Sequence, residues 1–141
     1  MFLSPINLSH RLLVKEINEE YNPNEEVDEN KFVEYIVDIP KGHEIYVLLD
    51  DNNIIGCGTV IIEKKMIHNF GKVAHIEDIF IRKEYRKMNY GTILINNLIE
   101  KANNQNCYKI ILNCSEELQA FYAKYGFSKK NIQMAKYFSK V

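Results

Sequence analysis

The stretch His75-Ile76-Glu77-Asp78-Ile79-Phe80-Ile81 leads, a few residues on, into Arg86-Lys87-Met88-Asn89-Tyr90-Gly91 and then into a run with one apolar stripe. In that run Leu94, Ile95, Leu98, Ile99 and Ala102 recur at helical spacing, with Asn96, Asn97, Glu100 and Lys101 on the other side. Ala74–Ile81 has the β-branched and aromatic content of a strand covered on both sides. The unit predicted is a strand, a short loop and a helix. Two carboxylates inside so apolar a strand are costly unless they serve a purpose. Neighbours on a regular strand point to opposite faces, so Glu77 and Asp78 are not expected to share one proton. The loop is rich in hydrogen-bond donors and ends at a helix start, where unpaired N–H groups and the macrodipole favour an anion. Phosphate is the expected ligand.

Towards the N-terminus, Glu44–Leu49 and Ile54–Ile62 are β-branched runs separated by Asp50-Asp51-Asn52-Asn53, a set of turn-forming side chains. They predict an antiparallel hairpin. Gly56 and Gly58 inside the second run signal a bulge or the close approach of another backbone or ligand. Before the hairpin come a short first strand within Phe2–Leu8, placed at an edge by Pro5, and two helices. Ser9 is positioned to cap the first helix, which carries Leu12, Leu13, Ile17 and Tyr21. Asp28 is positioned to cap the second, with Phe32, Tyr35 and Ile36; Pro40 and Gly42 close it.

Beyond the central unit, Tyr108–Cys114 reads as a strand, Glu116–Tyr125 as a helix ended by Gly126, and Asn131–Phe138 as a last strand. This order predicts an α/β fold with a mixed, mostly antiparallel central sheet and helices on both faces, forming one domain over residues 1–141. The 141-residue length and 46% apolar content suit one hydrophobic core.

A net charge of −1, with basic and acidic residues interspersed, leaves no electrostatic footprint for nucleic acid. Cys57, Cys107 and Cys114 form no close pair, which argues against a disulfide framework or a zinc site and for a reducing compartment. No apolar run approaches the roughly 20 residues of a membrane span, and Met1–His10 lacks the pattern of a cleavable signal. A cytoplasmic protein without membrane insertion is expected.

Arg86, Asn89 and Gly91 resemble the acyl-CoA loop of the GCN5-related N-acetyltransferases (GNAT), whose pattern is Arg or Gln, two residues, Gly, one residue, Gly or Ala. Asn89 stands at the usual first glycine, and asparagine enters left-handed conformations at modest cost. Further blocks, Ile61–His68, His75–Ile79, Asn106–Leu112 and Phe121–Phe127, resemble the glucosamine 6-phosphate N-acetyltransferases within that superfamily. The resemblance implies the GNAT fold and transfer of acetyl from acetyl-CoA to the 2-amino group of glucosamine 6-phosphate, by direct amine attack, in a homodimer and without a metal.

It also implies roles. Glu77 would face the sugar, as base or as a hydroxyl ligand, and Asp78 would hold the sugar or order the loop. Main-chain groups of Ile79, Phe80 and Ile81 would pair with the pantetheine arm as with an added strand. Backbone N–H groups across Arg86, Lys87, Met88, Asn89, Tyr90, Gly91 and Thr92 would hold the pyrophosphate, with Arg86 and Lys87 adding charge. Tyr122 would place its hydroxyl against the coenzyme sulfur, and the Asn113 carbonyl would accept a hydrogen bond from the amine. Tyr137 stands where the family tends to have a phosphate-binding arginine, leaving Lys109, Lys136 and Lys140 as replacements. Taken alone, the carboxylates can also be read as partners of lysines, the loop cations as a solvated turn and Tyr122 as core. His68 and His75 read as proton shuttles or as structural side chains. Two rivals remain at this point: a GNAT enzyme for another amine or a peptide N-terminus, and a sensor that binds acyl-CoA without turnover.

Overall fold

The computed structural model of the protein describes residues 1–139, so Lys140 lies outside the described residues. The chain divides into two compact units, Met1–Ile111 and Leu112–Val141. The first opens with β1 (Phe2–Pro5), α1 (Arg11–Tyr21), α2 (Glu29–Val37), β2 (His43–Asp50) and β3 (Asn53–Lys64). A single turn, α3 (Ile67–Phe70), precedes β4 (Lys72–Ile81), α4 (Tyr90–Asn104) and β5 (Cys107–Leu112). The sheet order is β1-β2-β3-β4-β5, and the first four strands pair antiparallel in sequence order. Helix α4 joins β4 to β5, which lie next to one another in the sheet order.

Both helical faces follow from the apolar patterns. On one face, α4 buries Leu94, Ile95, Leu98 and Ala102 completely, each large side chain contributing roughly 1.5–3 kcal/mol. A Cβ on Gly58 would lie 2.5 Å from a Leu98 methyl, so glycine lets α4 sit this close to β3. On the other face, Leu13 of α1 packs with Val47, Cys57 and Phe80, with Ile6, Ile17, Leu49 and Ile54 around them.

The first helix is capped differently from the sequence expectation. Asn7, not Ser9, opens a 3-10 turn at Leu8–His10 that runs into α1. Its side chain accepts from the Ser9 N–H at 2.9 Å, and its own N–H donates to His10 Nδ1 at 3.1 Å. Asp28 caps α2 as expected, accepting from the Lys31 N–H at 3.0 Å.

In the second unit, a 3-10 turn at Glu116–Leu118 leads into α5 (Gln119–Ala123), and Gly126, at φ +88°, follows it. The strand expected over Asn131–Phe138 does not form; the segment has no ladder partners, with bends at Asn131 and Phe138. Alternating apolar residues make a strand only when a neighbouring edge completes the ladder.

Candidate active site

Strand β4 is where the structure departs most usefully from regular alternation. Thr59 pairs with Glu77 and Cys57 with Phe80, so Gly58 alone faces two residues, Asp78 and Ile79. This is a β-bulge, and Asp78 occupies it in a left-handed conformation at φ +51°. Because Cys57 and Thr59 share one face of β3, the bulge puts Glu77 on the same face as Phe80. Strict alternation over three residues would place these two side chains on opposite faces. Glu77 is half-buried and Asp78 exposed. Among the described residues neither carboxylate forms an ion pair or side-chain hydrogen bond. They are not lysine partners.

Buried Cys57 sits beneath the bulge, its Sγ 3.8 Å from the Asp78 carbonyl oxygen. Burial, and then the charge of Asp78, push its thiol up to about 12. Tyr35 of α2 belongs to the same neighbourhood. Its phenol is raised by burial and further by the charges of Asp78 and Cys57. The sequence shows Tyr35 only as one more residue of an apolar stripe.

After β4, Arg82 leads into a 3-10 turn at Lys83–Tyr85, followed by Arg86, left-handed Lys87 (φ +62°) and left-handed Asn89 (φ +67°). Asn89 is the N-cap of α4 and provides no side-chain cap. The start of a helix is where backbone N–H groups and the macrodipole favour an anion. Arg86 does not extend into that space. Its Nε donates to the Ile81 carbonyl at 2.8 Å, its Nη2 to Glu20 at 2.6 Å, and its guanidinium lies 5.4 Å from the centre of the Phe80 ring. Arg82 makes a two-pronged contact with Glu16, each bond 2.8 Å, and donates to the Ile54 carbonyl. Tyr90 donates to Asp50 at 3.0 Å, tying the start of α4 to the β2–β3 turn. Lys87 and Met88 are exposed.

The histidines take structural partners. His75 Nε2 lies 3.0 Å from Glu63, lowering the pKa of that carboxyl together with Lys65. The His68 ring lies tilted over Tyr108 with centroids 4.3 Å apart, and Gly71 leaves room for that ring. His68, Asn69 and Phe70 are all left-handed, with φ between +51° and +58°. Such a run in non-glycine residues costs on the order of 1–2 kcal/mol each.

Thus Glu77, Asp78, Ile79–Ile81 and the loop Arg86–Thr92 lie together in the first unit, at one end of β4 and the start of α4. Lys109 is exposed on β5, beside the Tyr108 ring. Asn113, Tyr122, Lys136 and Tyr137 belong to the second unit. Asn113 is exposed, Tyr122 is buried with edge-on contacts to Phe121 and Phe127, Lys136 lies over the Phe138 ring, and Tyr137 is exposed. Glu16 and Glu20 carry no signal in the sequence: each meets an arginine 66 residues away. Among the described residues no group of three or more His, Cys, Asp or Glu side chains is placed to hold a metal, and no helix is long and apolar enough to cross a membrane.

The profile of the acetyltransferase (GNAT) family matches residues 12–127, which includes the bulged strand, the loop and α4. The chain belongs to the GNAT family. Within this family it is 41% identical over 112 residues to glucosamine 6-phosphate N-acetyltransferase 1 of Dictyostelium discoideum, covering 76% of this chain and 71% of that protein. It is also 41% identical over 98 residues to the glucosamine 6-phosphate N-acetyltransferase of Arabidopsis thaliana, 68% of this chain and 66% of the relative. The crystal structure of the Arabidopsis enzyme superposes with a TM-score of 0.87 at 31% identity, covering 98% of both chains. As a GNAT protein the chain is an acetyltransferase, and members of this family use acetyl-CoA as co-substrate.

Proposed function

We propose that this acetyltransferase moves acetyl from acetyl-CoA to the 2-amino group of D-glucosamine 6-phosphate, giving N-acetylglucosamine 6-phosphate and coenzyme A for UDP-N-acetylglucosamine biosynthesis. The observation that carries the reading is the Glu77–Asp78 bulge, its carboxylates without ion pairs among the described residues, beside the start of α4, in a chain so similar to enzymes named for that reaction. Residues 1–141 act as one GNAT domain.

The reaction needs a neutral amine, a stabilised oxyanion and a protonated leaving thiolate. In the proposed mechanism the amine nitrogen attacks the thioester carbonyl, the N–C bond forms and the C–S bond breaks. Glu77 receives the amine proton directly or through water. The Asn113 carbonyl orients the amine, and Tyr122 gives a proton or a hydrogen bond to the departing sulfur. Main-chain groups of Ile79, Phe80 and Ile81 hold the pantetheine arm, and the backbone of Arg86–Thr92 holds the pyrophosphate. Asp78 binds sugar hydroxyls; its exposure and left-handed backbone support that role. Lys109, Lys136 and Tyr137 receive the sugar phosphate, with Lys87 adding charge at the coenzyme.

The protein acts as a homodimer in the cytoplasm. Support for the dimer lies in the second unit, where Ile132, Met134, Tyr137 and Phe138 are each more than 80% exposed, an apolar set that suits a second copy. A different acceptor amine is favoured by one feature, Tyr137 at the place of the family's phosphate-binding arginine.

Release of coenzyme A thiol from acetyl-CoA, compared between glucosamine 6-phosphate and glucosamine at equal concentration, tests the proposal. Turnover that depends on the phosphate supports it. Equal slow turnover of both overturns the sugar-phosphate assignment and retains the acetyltransferase. No turnover with either, despite acetyl-CoA binding, favours another amine or a sensor.

A further inference from the structure

Helix α1 touches the coenzyme loop through two carboxylates one turn apart. Glu16 grips Arg82, where β4 ends, and Glu20 grips Arg86, three residues before the N-cap of α4. Both arginines also donate to main-chain carbonyls, Arg82 to Ile54 on β3 and Arg86 to Ile81 at the end of β4. The Arg86 to Ile81 bond closes residues 81–86 into a ring. The Phe80 ring backs the same guanidinium. Arg86 is therefore held on three sides, by a carboxylate, a carbonyl and an aromatic face.

We propose that Glu20 is a positioning residue for acetyl-CoA: acting through Arg86, it fixes the backbone of the pyrophosphate loop in its binding shape. The inference rests on the assignment of Arg86–Thr92 to the coenzyme and adds a residue outside that loop. Its logic is geometric. Lys87 stands in a left-handed conformation that its side chain does not favour, next to a second left-handed position at Asn89, so an external restraint at the start of the loop keeps it in shape. The Glu20–Arg86–Ile81 chain supplies it at the residue preceding Lys87. A charged, short hydrogen bond from Arg to carboxylate is strong and directional enough to do so. An Arg86 held in this way acts as a brace, and the phosphates are left to the backbone donors and Lys87.

The opposite arrangement has a distinct signature. If Glu20 merely occupied a guanidinium that otherwise contacts the pyrophosphate, removing its charge would strengthen coenzyme binding and steepen its salt dependence. The test is the Kd of acetyl-CoA for the full chain at two salt concentrations, with wild type, Glu20→Gln and Glu20→Asp, and Glu19→Gln as a control on the same helix. The expected result is three- to tenfold weaker binding in Glu20→Gln, an unchanged salt dependence, partial recovery in Glu20→Asp, and a KM rise that exceeds any change in kcat. Binding that is unchanged or tighter in a folded Glu20→Gln overturns the proposal, as does the same loss in Glu19→Gln. Absence of acetyl-CoA binding by the wild-type protein overturns the loop assignment and this inference with it, an outcome distinct from a null effect of the variants.

Discussion

The Sγ of Cys57 lies 3.8 Å from the carbonyl oxygen of Asp78, so the thiol packs directly under the extra residue of the β4 bulge. Cys57 is flanked in β3 by Gly56 and Gly58. A Cβ at Gly56 would come within 2.1 Å of the Phe80 carbonyl oxygen, whereas one at Gly58 would meet only a Leu98 methyl. Backbone cannot retreat without breaking the ladder, but a leucine rotamer can shift. Gly56→Ala should therefore cost roughly 3 kcal/mol and Gly58→Ala about 1–2 kcal/mol. Urea denaturation of both variants gives the comparison, and equal losses would contradict it.

Glu77→Gln tests the proposed base. An amino group with a pKa near 8 is mostly charged at pH 6.5 and mostly neutral at pH 9, so the need for a proton acceptor falls as pH rises. The expected loss in kcat/KM for the amine is about 100-fold at pH 6.5, shrinking below about 10-fold at pH 9. A defect independent of pH would assign Glu77 to binding alone.

Tyr122→Phe removes one hydroxyl from a buried ring and leaves its edge contacts with Phe121 and Phe127. If that hydroxyl serves the departing sulfur, kcat falls by about 100-fold while the Kd of acetyl-CoA changes little. Stopped-flow turnover beside direct binding separates the two quantities. A loss confined to binding would place Tyr122 elsewhere in the mechanism.

How legible these features are in the sequence depends on the range of the interaction behind them. Strands β2 to β4 and helix α4 are visible because local periodicity and the Asp50–Asn53 turn specify them. Gly56 and Gly58 announce an irregularity in β3, yet nothing local says that the extra residue falls on β4 at Asp78. The Glu16–Arg82 and Glu20–Arg86 contacts depend on packing between segments far apart in the chain, and charge composition alone does not pair them. The strand expected over Asn131–Phe138 lacks the ladder partners that would make it one. In the site, the loop and the carboxylates are legible as residue types, whereas the shared face of Glu77 and Phe80 comes only from the register.

Asn89 should reward replacement by glycine. At φ +67° it stands where glycine has no steric penalty. Asn89→Gly should leave acetyl-CoA affinity within about twofold and stability within about 0.5 kcal/mol, whereas Asn89→Val, β-branched, should cost about 1–2 kcal/mol. Thermal melts with and without acetyl-CoA read both effects.

His10 gives the fold a pH dependence at its N-terminus. Burial lowers its pKa from the usual 6.5, and Nδ1 accepts the Asn7 N–H, which requires that nitrogen to be unprotonated. The unfolded chain therefore binds a proton that the folded chain resists. Stability from this group is complete above pH 6.5 and declines as pH falls from there towards the lower folded value. The melting temperature of wild type should drop between pH 7 and 5 more than that of His10→Gln; parallel curves would show that His10 contributes no such dependence.

The bulge also changes what a deletion means. Removing one residue from a strand ordinarily turns every side chain beyond it to the wrong face. Here Thr59–Glu77 and Cys57–Phe80 are separated by one residue on β3 and two on β4. Excising Asp78 would equalise that count and leave Glu77, Phe80 and Ile81 facing as they do now. The residue most exposed to solvent in β4 is thus the one the architecture can lose with least disturbance.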